Sequence, residues 1–162
     1  MGVPRNLGVL AAIALIVAIA MPCGAAPTQK QAGERRVALV AGNGKYVAAP
    51  QLANPGNDAR LIAATLAGLG FELVGGGPLI DLDKANLELA IRRFGEKLAG
   101  AGVGLFYYAG HGIQLRGANY LIPVSARLDR EADVKYELVD ANFVLDEMGN
   151  AGTRLNMMVL DA

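Results

Sequence analysis

The chain has 162 residues, with 15 basic and 15 acidic side chains, 53% hydrophobic residues, 21 glycines, one cysteine and one histidine. Apolar content this high excludes a disordered polypeptide, and the length suits one globular domain. A formal charge of zero with no basic run lacks the electrostatic footprint of nucleic-acid binding, so nucleic acid is not an expected partner.

The first element is an uninterrupted apolar run from Leu7 to Met21, preceded by a single charge at Arg5. Its 15 residues fall short of the roughly 20 a membrane-spanning helix needs but fit the hydrophobic part of a secretory signal. Pro22 breaks the run, and cleavage after Ala25 places Cys23 and Ala25 at the two small-residue positions. Residues 1–25 are therefore read as a signal peptide that directs the chain to the periplasm or the exterior and leaves no stable membrane span once removed. The alternative is an uncleaved membrane anchor. Removal takes away Arg5 and Cys23, leaving 14 basic and 15 acidic side chains, a net charge of −1, and no thiol. Residues 26–35 are polar without an apolar period and read as a flexible lead-in.

From Arg36 onward strand-like and helix-like patterns alternate. Val37–Ala41 is a short apolar run ending at Gly42-Asn43-Gly44, the pattern of a buried strand. Asn54-Pro55 offers a helix start, with Ile62, Leu66 and Leu69 repeating at helical spacing before Gly70. Phe71–Val74 predicts a second strand, stopped by Gly75-Gly76-Gly77-Pro78. Asp83 caps a helix that keeps Leu87, Ile91, Phe94 and Leu98 on one face. Val103–Ala109 is the most strand-like run and stops at Gly110-His111-Gly112. Ile113–Leu115 and Asn119–Ile122 flank Arg116-Gly117-Ala118 like a hairpin. A last helix is expected over about Asp140–Met148, followed by a buried strand over Leu155–Leu160. This order predicts an α/β architecture with a mostly parallel sheet, whose chemistry gathers beyond the carboxyl ends of the strands.

Three loops then qualify as sites: the one after Ala41, Gly110-His111-Gly112, and whatever follows Leu160. The first, Gly42-Asn43-Gly44-Lys45, fits no phosphate cradle. A Walker loop needs four residues between its first glycine and Gly-Lys, and a hydroxyl after the lysine, whereas one residue intervenes here and Tyr46 follows. A tight turn is the expectation. His111 is the only histidine, and flanking glycines free its imidazole and the Gly112 amide to face a cleft. With no histidine or cysteine to join it, a metal site is not expected. A base at this place calls for a nucleophile on a neighbouring strand end.

Four blocks carry a family resemblance: RVALVAGNGKY (36–46), LANPGNDARLIAATLAGLGFEL (52–73), FYYAGHGIQLRGANYLIPV (106–124) and MMVLDA (157–162). They resemble successive segments of bacterial caspase-like, metacaspase-related p20 domains of the peptidase C14 family, over essentially residues 36–162. The resemblance implies a three-layer caspase-like sandwich, here with about four core strands plus a small hairpin. It implies a cysteine endopeptidase acting on protein or peptide substrates, with no cofactor; calcium activation is not readable from these residues. By the resemblance, His111 is the catalytic histidine, Gly112 contributes its amide to the oxyanion hole, and Asp58 and Asp161 line a pocket for an arginine or lysine side chain. For Asp58, a purely local role at the helix N-terminus is an equal alternative. The family pattern continues Asp-Ala-Cys or Asp-Ser-Cys, one position past Ala162. The chain as given is accordingly expected to be inactive, with Leu155–Leu160 a hydrophobic edge. The alternative function is a non-catalytic binding module that keeps the fold.

Overall fold

A computed structural model describes residues 34–162. The signal-peptide reading of residues 1–25, with Cys23, and the lead-in up to residue 33 lie outside the described residues. Among those described, no helix is long and apolar enough to cross a membrane.

Alternation along β1 (Arg36–Gly42) sets up three layers. Side chains at successive strand positions point to opposite faces. Val37, Leu39 and Ala41 enter one core with Leu87, Ile91 and Phe94, while Ala38 and Val40 enter another with Ala59, Ala63 and Leu66. Helix α1 (Pro55–Gly68) covers the second face, and α2 (Lys84–Leu98) with α4 (Ala141–Asn150) covers the first. The sheet runs in the order β2 (Phe71–Leu73), β1, β4 (Val103–Ala109), β8 (Leu155–Asp161), with every pair parallel. A two-residue strand, β3 (Leu79–Ile80), pairs with the end of β1 beyond β2, a piece too short to leave a pattern in the sequence. The architecture is the expected α/β sandwich with a mostly parallel sheet.

The buried stripe of α1 differs from the expected one. Pro55, Ala59, Ala63 and Leu66 face the sheet, whereas Leu69 is 57% exposed. Small residues win here because the helix lies so close to the sheet. A Cβ added to Gly42 would sit 2.3 Å from the Pro55 carbonyl oxygen and 2.8 Å from the Ala59 Cβ. Asn54 accepts from the Asn57 and Asp58 amides through its backbone carbonyl, not through its side chain. Asp83 and Asp140 do cap α2 and α4 with their side chains, on the Asn86 and Asn142 amides.

The hairpin of β5 (Gly112–Leu115) and β6 (Ala118–Leu121) turns through Arg116 and Gly117, both at positive φ, as a two-residue turn requires. It gains a third strand, β7 (Val139–Asp140), after a single helical turn, α3 (Val134–Glu137). Strand β8 runs one residue further than expected and is the hydrophobic edge anticipated for it, so the reading of Leu155–Leu160 as buried does not hold. Leu155 and Val159 are 44% and 45% exposed, because only β4 hydrogen-bonds to it among the described residues.

Candidate active site

The parallel register aligns the ends of three strands. Gly42 pairs with Ala109, and Ala109 with Asp161, so the loops that follow leave the sheet side by side. Two further bonds extend the ladders, from the Asn43 amide to the Ala109 carbonyl and from the Gly110 amide to the Asp161 carbonyl. Beyond these ends lies a cleft of about 390 Å³ lined by Asp58, His111, Asp161 and Ala162, with Asn54 and Pro55 at the start of α1. No lysine or arginine lines it. The three side chains singled out from the sequence thus share one cleft, although Asp58 and Asp161 are 103 positions apart in the chain.

Gly110 makes the turn that delivers His111. Its φ is +151°, and an added Cβ would meet the Tyr46 hydroxyl at 2.5 Å and the Tyr108 hydroxyl at 2.9 Å, so only glycine fits. The His111 ring edge is fixed by Nε2, 2.8 Å from the Pro50 carbonyl oxygen. A carbonyl can only accept, so Nε2 carries the proton, and in the neutral imidazole Nδ1 is left as the free acceptor.

The Gly112 amide is oriented by the hairpin ladder. Ile122 donates to the His111 carbonyl, and bonded and non-bonded pairs alternate along an antiparallel ladder. The Gly112–Leu121 pair is then the non-bonded kind, with the Gly112 N–H turned away from β6. A Cβ on Gly112 would lie 3.2 Å from that of Ala162, so this amide stands beside the last residue of the chain.

Asp58, the acidic side chain in the first turn of α1, lines the cleft. Asp161 accepts a hydrogen bond at Oδ2 from the Tyr107 hydroxyl, at 3.2 Å. Burial, then the neighbouring charge of Asp161 and more weakly Asp58, pushes the Tyr107 phenol up to about 12, which keeps it a donor at neutral pH. Two carboxylates facing one cleft without a lining cation attract a positively charged side chain. Among the described residues no group of three or more His, Cys, Asp or Glu side chains is placed to hold a metal ion.

Sequence reasoning missed Tyr107, Tyr108, Tyr46 and the Pro50 carbonyl. The two tyrosines of β4 were visible as strand formers, and alternation alone sends them to opposite faces. A carbonyl partner has no sequence signal. The tight turn expected at Gly42-Asn43-Gly44 is not formed: Gly42 still belongs to β1, Asn43 extends its ladder to Ala109, and residues 43–46 run on without a turn, with Asn43 fully buried. A larger depression of about 520 Å³ opens beside the hairpin between Arg116, Glu131 and Lys135, away from these groups.

With this geometry in place, comparison with known proteins adds two findings. A family model described as caspase domain matches residues 35–162. The human mucosa-associated lymphoid tissue lymphoma translocation protein 1 is 30% identical over 134 residues, covering 83% of this chain and 16% of that protein. Its mouse homolog is 31% identical over 126 residues, covering 78% of this chain and 14% of that protein. The chain thus spans less than one-fifth of the length of these curated relatives.

Proposed function

The chain belongs to the caspase-domain family, and from that membership we propose that it is the histidine-bearing part of a cysteine endopeptidase cleaving after arginine or lysine. The observation that carries the reading is the single cleft lined by Asp58, His111, Asp161 and Ala162, with Gly112 standing next to Ala162. In this reading Asp58 and Asp161 hold the guanidinium or ammonium of the residue before the scissile bond. A cysteine following Ala162 supplies the nucleophile, since the one cysteine of the sequence, Cys23, lies in the proposed leader. His111 Nδ1 takes the thiol proton, the thiolate attacks the carbonyl carbon, and the Gly112 N–H donates to the oxyanion. The proton returns to the leaving amine as the thioester forms, and water then releases the acid.

Among the described residues no thiol lines the cleft, and the chain as given is proposed to be inactive by itself. Export through residues 1–25 belongs to the same proposal. The test is cleavage of arginine- and lysine-containing peptides by a polypeptide that continues past Ala162 with cysteine. His111→Ala is expected to abolish cleavage, and Asp161→Asn to raise KM for basic substrates. Cleavage undiminished in His111→Ala refutes the assignment of the base. If no peptide is cut while basic peptides still bind the cleft, the reading becomes a non-catalytic binding module.

A further inference from the structure

The Gly42-Asn43-Gly44-Lys45-Tyr46 segment, unsuited to phosphate, has another use. Tyr46 is 4% exposed, and its ring lies against the His111 imidazole, with centroids 4.6 Å apart and planes tilted by 41°. Its hydroxyl accepts from the His111 backbone amide at 2.7 Å. Pro50, four residues on in the same loop, holds the other edge of the imidazole at Nε2. The loop therefore touches the histidine at three places: ring face, ring edge and backbone.

The loop itself is tied down on all sides. The Asn43 side chain bonds to Leu82 and Ile122, and the Asp81 carboxylate accepts from the Gly44 and Lys45 amides. Val47 donates to the Val124 carbonyl, and Leu52 to the Gly44 carbonyl. The hydroxyl relay is directional as well. Tyr108 lies 2.8 Å from the Ile122 carbonyl and 3.1 Å from the His111 carbonyl, which only accept, so the Tyr108 proton is committed to them. Tyr46 must then be the donor in its 3.4 Å contact with Tyr108, which leaves its lone pair for the His111 amide.

We infer that Tyr46 is a positioning residue for His111, its ring packed on the imidazole face and its hydroxyl holding the His111 backbone amide. A ring held on three sides is aligned before substrate arrives, which removes an orientational cost from proton transfer. The consequence for catalysis rests on the peptidase reading above; the consequence for the imidazole does not.

Because His111 is the only histidine, its ring and amide signals can be followed by NMR in the 162-residue chain without ambiguity. The expected result is one imidazole N–H, at Nε2, protected from solvent exchange. In Tyr46→Leu that proton should exchange about tenfold faster, the factor set by losing roughly one net hydrogen bond's worth of order. The β4 amides should keep their protection. Tyr46→Phe retains the ring and should keep the Nε2 proton protected, while the His111 backbone amide, now without its acceptor, exchanges about tenfold faster. A folded Tyr46→Leu chain with an unchanged ring proton overturns the inference. If that variant does not fold, Tyr46→Phe decides it, and an unchanged His111 amide overturns it. In a polypeptide active on peptides, Tyr46→Leu should lower kcat about tenfold with KM changed less than twofold. Altered NMR signals without peptidase activity would leave the positioning role standing and count against the peptidase reading alone.

Discussion

Asn43 is the one buried polar side chain in the described part of the molecule apart from the tyrosines, and removing its amide should be costly. Its Nδ2 donates to the carbonyls of Leu82 at 3.2 Å and Ile122 at 3.3 Å, and its Oδ1 accepts from the Leu82 amide at 2.8 Å. The orientation of the amide is forced, because two partners can only accept and the third can only donate. Asn43→Ala deletes all three bonds. At roughly 1 kcal/mol net for each, the loss is about 3 kcal/mol. In a domain whose total stability is on the order of 5–15 kcal/mol, the variant should still fold, with a Tm lower by about 10 °C. Asn43→Asp tests the orientation. The introduced carboxylate would face two carbonyl oxygens in a dry site, so its pKa in the folded protein should lie above the unfolded value of about 3.9. A group whose folded pKa is raised contributes stability below the unfolded pKa and loses it as pH rises through the folded one. Relative to Asn43→Ala, the Asp variant should therefore be more stable near pH 4 than near pH 7, as read by urea unfolding at the two values. A loss below about 1 kcal/mol in Asn43→Ala, or the opposite pH trend in the Asp variant, would refute the placement of this amide as the bolt between three loops.

Three further outcomes follow from the same site. Burial raises the pKa of Tyr46 and Tyr108, and burial with the nearby carboxylates takes Tyr107 to about 12, so three of the five tyrosines resist ionisation in the folded state. A phenol raised on folding stabilises below its unfolded pKa of about 10 and ceases to as pH rises through the folded value, so alkaline titration followed by tyrosinate absorbance should show these three ionising together with unfolding; a smooth titration of all five in a folded protein would contradict their placement. For Asp81, burial alone would raise the pKa, but the Gly44 and Lys45 amides and the Lys45 charge outweigh it and hold it below 3.8. A depressed carboxylate stabilises above its unfolded pKa and stops doing so as pH falls through the folded one, so Asp81→Asn should flatten the stability loss below about pH 4, measured by acid unfolding against the parent chain. Gly42→Ala drives a Cβ against the Pro55 carbonyl at 2.3 Å, and the helix carrying Asp58 must move to admit it; overpacking of about 1–3 kcal/mol is expected, with weaker binding of an amidinium probe such as benzamidine, and an unchanged melt would show that the contact is not tight.

Much of this molecule was legible from local pattern. Continuous apolar runs gave β1 and β4, the spacing of Leu87, Ile91, Phe94 and Leu98 gave α2, and glycines on both sides of His111 marked a strand running out into a site. Periodicity is a property of neighbours in sequence, and these features need nothing more. The elements that escaped are those with no local signature: β3 and β7, two residues each, exist because a neighbouring strand offers them hydrogen bonds. The alanines of the α1 stripe escaped for a related reason, since an apolar count favours Ile62, Leu66 and Leu69, while the close approach of helix and sheet at Pro55 and Ala59 selects small side chains there.

The site divides in the same way. In the sequence, the single histidine between glycines is visible one position at a time, and the family resemblance marks Asp58 and Asp161. Only the tertiary structure decided that they share one cleft. The in-register parallel pairing of Gly42, Ala109 and Asp161 brings Asp58, His111 and Asp161 to one cleft. The groups that hold them, the Pro50 carbonyl, the Tyr46 ring and the Tyr107 hydroxyl, are chosen by distance, a quantity set by how the chain closes on itself and not by any residue's neighbours along it.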